Sequence, residues 1–147
     1  MSTDKLYSTI SELIHSDIAA QYNINNMPTI QHIDNMQKLI HYVLQPIRLH
    51  YNKPIDISGG YRSWVLWNKL KQLGCNPSTT SLHLEGKAAD FTIRGVNTKE
   101  VFNWVKNSDI EFDEMIYEYS SDGAIWIHIA YNFGKNRRKI IDNYKAY

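Results

Sequence analysis

The segment SLHLEGKAAD at 81–90 sets an imidazole, His83, and a carboxylate, Asp90, on either side of Gly86, where the chain can reverse. Ala88 and Ala89 leave room for close backbone approach. This is the donor chemistry of half a divalent metal site. A second imidazole comes from AIWIHIA at 124–130. There a period of two puts Ile125, Ile127 and Ile129 on one face of a strand and Trp126, His128 and Ala130 on the other. FDEMIYEY at 112–119 precedes it across Ser120, Ser121, Asp122 and Gly123, a hairpin signature. If Tyr119 pairs with Ile125, Glu118 faces Trp126 and shares the face of His128, about 7–8 Å away as a diagonal neighbour. His83, Asp90 and His128 as ligands, an open coordination position and a second carboxylate nearby make the arrangement of a catalytic zinc. A structural zinc closes its fourth position with protein.

The elements that must position these groups are legible from periodicity. TISE has capping-box form and opens a helix over 9–20, with Ile10, Leu13, Ile14 and Ile18 at helical spacing. An apolar stripe from Ile30 to Ile47 marks a second helix, which Pro46 should kink or end. IDIS reads as a strand entering the Gly59–Gly60 turn, and Ser63 caps a third helix reaching Leu73, with Gly74 beyond it. AADFTI reads as a strand, and Asn97 with Glu100 opens a fourth helix. Helices thus dominate the first half and antiparallel strands the second. The expected fold class is α+β, a small antiparallel sheet with helices packed on one face, in a single domain over 1–147. The basic tail over 135–147 reads as a solvated surface segment.

Composition narrows the function classes. Sixteen basic and fifteen acidic residues leave a formal charge of +1, with no overall field to grip nucleic acid. Cys75 is the only cysteine, so internal disulfides and multi-cysteine metal sites are excluded, and it reads as a small buried hydrophobe. No apolar run approaches the roughly 20 residues of a membrane span. MSTDKLYSTI has no cationic region followed by an apolar run, so the expectation is synthesis in the cytoplasm without a signal peptide.

Taken in order, SGGYRS (58–63), Asn68, SxHxxGxAxD (Ser81, His83, Gly86, Ala88, Asp90), FDxxIxE (Phe112, Asp113, Ile116, Glu118) and WIH (126–128) resemble the zinc D-alanyl-D-alanine peptidases of the M15 group. The likeness is closer to the short single-domain members of phages and bacteria and covers nearly the whole chain. It implies the hedgehog/DD-peptidase fold, a zinc cofactor held by His83, Asp90 and His128, and Glu118 as general base, with Asp122 as the rival carboxylate. It also implies that Arg62 grips a substrate carbonyl or carboxylate and that Ser81 supports it as a hydrogen-bond donor. The implied activity is hydrolysis of D-amino-acid-containing peptide bonds in bacterial peptidoglycan, as a D,D-carboxypeptidase or endopeptidase acting on the wall after release, as a phage lysin does. The implied partners are peptidoglycan stem peptides met by a monomer, without nucleic acid or membrane. The alternative is a zinc-containing cell-wall binding module without turnover. Three departures from the group's pattern bear on the pose of Arg62: the second glycine of SGGYRS, Trp67 before Asn68, and Gly74-Cys75 in place of a glycine pair. Tyr61 and Trp126 are candidate walls of a peptide cleft.

Overall fold

The computed structural model describes residues 8–75 and 77–146. The N-terminal reading therefore falls largely on residues outside the described ones, as does Tyr147 at the end of the tail. The expected helix over 9–20 is two short helices, α1 (Ile10–Ile14) and α2 (Asp17–Gln21). The Thr9 side chain accepts from the Glu12 N–H as expected, but His15 is extended and the Ser16 side chain accepts from Ala19 N–H. A second cap three residues after the buried Leu13 wins over helix continuation, because Ser satisfies an orphan donor better at a start than in an interior.

The second helix does not end at Pro46. α3 (Ile30–Leu39) passes through a π-helical turn (Ile40–Leu44) into α4 (Gln45–Tyr51). The Gln45 N–H bonds the Ile40 carbonyl five residues back. Pro46 then falls in the first turn of α4, directly after the π turn, where its fixed φ suits the helix. β1 (Ile55–Gly59), α5 (Trp64–Gln72, capped by Ser63), β2 (Ala88–Ile93) and α6 (Thr98–Lys106, capped by Asn97) follow as read, and a 3-10 turn (Leu82–Glu85) that the spacing does not predict precedes Gly86. β3 (Glu114–Tyr119) and β4 (Ile125–Ala130) form the expected hairpin. Cys75 is half-buried and free rather than fully inside.

The tail departs from its expected role. Residues Lys139–Lys145 form β5, an edge strand paired parallel to β3. The sheet order is β1-β2-β4-β3-β5, antiparallel throughout except for that last pair. Asp113 explains why the tail is drawn in. Its carboxylate, 1% exposed, accepts from the Arg137 guanidinium at 2.9 and 3.0 Å and from the Arg137 backbone N–H at 3.1 Å. A charge run alone does not show such a partner, because Asp113 lies 24 residues away.

Register decides which face does what. Ala89 pairs with Ile129, Phe91 with Ile127 and Met115 with Ile129, and these side chains join Leu39, Val43 and Phe102 in one fully buried core. Each of these side chains larger than Ala89 contributes about 1.5–3 kcal/mol of burial, set against the conformational entropy of folding. The alternate residues Asp90, His128 and Glu118 therefore share the opposite face of the sheet. Among the described residues, no helix is long and apolar enough to cross a membrane.

Candidate metal centre and substrate cleft

Asp90 stands directly opposite His128 in the β2–β4 ladder, and Gly59 is its partner on β1. The 3-10 turn brings His83 to the same point. Ser81 starts that turn, its side-chain oxygen accepting from the His83 N–H at 3.2 Å, and Gly86 ends it at φ 73°. The His83 and His128 rings lie 5.0 Å apart between centroids. One donor atom from each of His83, Asp90 and His128 falls within 4.8 Å of the others, and all three residues are buried.

The double glycine of SGGYRS has a geometric cause. A Cβ at Gly59 would sit 2.8 Å from Asp90 Oδ2, and one at Gly60 would sit 2.1 Å from the Leu13 carbonyl oxygen. Glycine lets the β1 end lie against the carboxylate and lets the next residue cross α1. A register shift between Ile57 and Gly59 absorbs the extra residue. Arg62 follows: its backbone N–H donates to the His83 carbonyl at 3.0 Å, and its guanidinium Nη2 lies 3.8 Å from Asp90 Oδ2.

The hydrogen bonds fix the tautomer of His83. Its Nδ1 donates to the Gly60 carbonyl at 2.8 Å, so Nδ1 carries the proton and Nε2 presents a lone pair. That Nε2 lies 3.2 Å from Asp90 Oδ1. Burial pushes the His83 pKa below its ordinary value, against the attraction of Asp90. The Asp90 carboxyl is held far below the usual carboxylate range: burial works against ionisation, but the two imidazoles beside it, His83 and His128, outweigh that. A neutral imidazole lone pair and a carboxylate lone pair thus face one another across 3.2 Å, which is repulsive without a positive centre between them. His128 Nδ1 reaches the same Oδ1 at 3.0 Å. This donor set fits a divalent cation, and two imidazoles with one carboxylate suit zinc chemistry.

Glu118 lies opposite Trp126 with Tyr119 opposite Ile125, the register expected. Burial, and secondarily the Asp90 charge, push its carboxyl up to about 7. Asp122 lies elsewhere: it is exposed in the β3–β4 turn, where it accepts from the Ser120 hydroxyl and from the Ala124 N–H at 3.0 Å. The open cleft holds about 780 Å³ and is bounded by Arg62, Ser81, the three candidate ligands and Glu118. Asp122 is absent from its walls, and so are Tyr61 and Trp126. Tyr61 is 5% exposed, with its hydroxyl 3.1 Å from His32 Nδ1, so it is core rather than cleft. Trp67, the residue inserted before Asn68, is also buried; its indole N–H donates to the Ser78 carbonyl and braces the loop that enters the His83 turn.

One group escaped the reading of the sequence. Glu114 lines the cleft, and its Oε1 lies 3.7 Å from His128 Nε2, the imidazole nitrogen turned away from Asp90. The signal was available, because a period of two on β3 puts Glu114, Ile116 and Glu118 on one face. β5 then supplies Lys139, whose Nζ lies 3.7 Å from the other oxygen of Glu114.

None of the curated proteins matches the chain. The family model described as Peptidase M15 matches residues 7–130, a span that contains Arg62, all three candidate ligands and Glu118. The chain belongs to the Peptidase M15 family.

Proposed function

We propose that the chain, as one domain over 1–147, is a zinc-dependent peptidase hydrolysing D-amino-acid-containing peptide bonds of bacterial peptidoglycan, in the setting of a phage lysin. The observation that carries this reading is the convergence of His83 Nε2, His128 Nδ1 and Asp90 Oδ1 beside a half-buried carboxylate, Glu118, that does not join them. His83, Asp90 and His128 would hold the zinc, which when bound supplies Lewis acidity toward a peptide carbonyl and toward water.

The remaining chemistry belongs to the chain's own side chains. Glu118 accepts a proton from the attacking water at a carboxylate oxygen and returns it to the leaving amine. Partial burial, and secondarily the Asp90 charge, push its carboxyl up, which makes it a better proton acceptor than a solvated carboxylate. Arg62 has a planar guanidinium already aimed into the cleft, suited to a terminal carboxylate or a carbonyl oxygen. Ser81 spends its lone pair on the His83 N–H, which leaves its hydroxyl hydrogen to donate to substrate.

The test incubates the purified, metal-replete protein with muropeptides, with and without chelator, and weighs the products. Loss of a terminal D-alanine marks a carboxypeptidase, and a split cross-bridge marks an endopeptidase. Intact muropeptides would overturn the enzyme reading in favour of a binding module. Glu118→Gln should retain the metal while losing at least about 100-fold in kcat, and full activity in that variant would remove Glu118 from the base role.

A further inference from the structure

A second hollow of about 280 Å³ opens beside the cleft, and the two share Asn132 and Lys135 at a common rim. Its walls come from α3, which contributes Gln31 and Asn35, and from the segment after β4, which contributes Tyr131 and Phe133. Phe133 is 60% exposed. Tyr131 is buried, and Tyr42, 43% exposed, stacks on it with ring centroids 5.0 Å apart and planes 16° from parallel. Tyr42 sits in the π-helical turn, where the extra residue per turn rotates the helix surface and brings this ring over Tyr131.

Charge in the hollow is largely cancelled within the protein. Lys38 pairs with Asp34 at 2.6 Å. Lys87 lies 3.4 Å from Glu85 and donates to Asn132 Oδ1 at 3.0 Å. Only Lys135, on the rim, has no carboxylate partner among the described residues. The hollow therefore offers the exposed Phe133 ring, with Lys38 Nζ 4.9 Å from its centroid, and amide groups with little net charge, lined by helix and loop rather than by a free strand edge. A polyanion would call for unpaired cations, and an extended peptide would call for an edge to pair with. A pyranose ring matches what is present: its C–H face lies on aromatic carbon and its hydroxyl or acetamido edge meets amides.

We infer that this hollow is a subsite for a neutral sugar ring of the glycan strand that carries the cleaved peptide. This rests on the peptidoglycan reading above, and it adds that the substrate is recognised while still attached to its glycan. The subsite borders the peptide cleft, as a sugar joined to a stem peptide requires.

Calorimetric titration of the whole protein with chitotetraose should give saturable binding. Phe133→Ala and Gln31→Ala should each weaken it at least tenfold with an unchanged thermal midpoint. In turnover, the wild type should show a higher kcat/KM for a stem peptide linked to its disaccharide than for the free peptide, and Phe133→Ala should lose that preference. Absence of chitotetraose binding in the wild type, or binding indifferent to both substitutions, overturns the subsite. If the wild type cleaves neither peptide, the peptidase reading fails, and the chitotetraose titration alone decides the sugar site.

Discussion

Burial of Glu118 has two opposed consequences, one for chemistry and one for stability. Its folded carboxyl titrates at about 7, above the unfolded value of 4.5. The folded state therefore holds a proton that the unfolded state has released between those values, and stability falls as pH rises across that interval. Glu118→Gln should accordingly raise the thermal midpoint of the chelator-treated protein, by nothing below pH 4.5, increasingly up to about 7 and by a constant amount above. Thermal unfolding across a pH series checks this, and a pH-independent difference would mean that the carboxylate is well solvated. Glu114 acts on the other side of the centre. His128 Nδ1 would hold a bound cation, which would leave the ring proton on Nε2, facing the Glu114 carboxylate at 3.7 Å. Glu114→Gln should lower metal affinity about 10- to 100-fold, as measured by chelator competition. The shared face of the candidate ligand His128 and of Glu118 was legible because strand alternation is a strict period of two. Glu114 was equally periodic, but its meaning depended on which nitrogen of His128 turns away from Asp90, and no sequence pattern specifies that.

At the scale of elements, alternation and capping proved legible, whereas distant pairing did not. Ser63, Asn97 and the β3–β4 turn behave as read because each is a local interaction over two to four residues. The break at His15 turned on two local caps competing, Thr9 and Ser16, and the survival of the helix past Pro46 turned on a π turn that no apolar stripe announces. β5 was invisible for another reason: its partner β3 lies on the far side of β4 in sequence, and its anchor is the buried Asp113. Bonds from Arg137 hold the Asp113 carboxyl below its ordinary value, against a smaller opposing effect of burial. Such a group stabilises the fold above the unfolded value of 3.8, and the contribution drains away as pH falls through the lower folded value. Asp113→Asn should cost about 2 kcal/mol at neutral pH and should flatten the acid limb of stability below pH 4. Denaturant titrations at pH 7 and pH 3 measure both, and equal losses at the two pH values would refute the assignment.

For the molecule as a whole, the three candidate ligands come from three separate elements, the 3-10 turn, β2 and β4, so a bound cation ties the loop-borne wall to the middle of the sheet. A ligand present at 100 times its dissociation constant adds about 2.7 kcal/mol to stability. For a chain of this size, chelation should then lower the thermal midpoint by roughly 5–10 °C, and His128→Ala should abolish the difference between metal-replete and chelated samples. The β4–β5 connection has a wider meaning. To set β5 beside β3 on the far side from β4, residues 131–138 must pass across the start of β3, and this one stretch supplies Asn132, Phe133, Lys135 and Arg137 to the two neighbouring hollows. Asp90, His128 and Glu118 reside in the ladder and His83 in the 3-10 turn, while walls of both hollows ride on a single bridging strap. Exchanging that strap would reshape both hollows while leaving Asp90, His128 and Glu118 in place, so the walls and the side chains they surround are assigned to different stretches of one short chain.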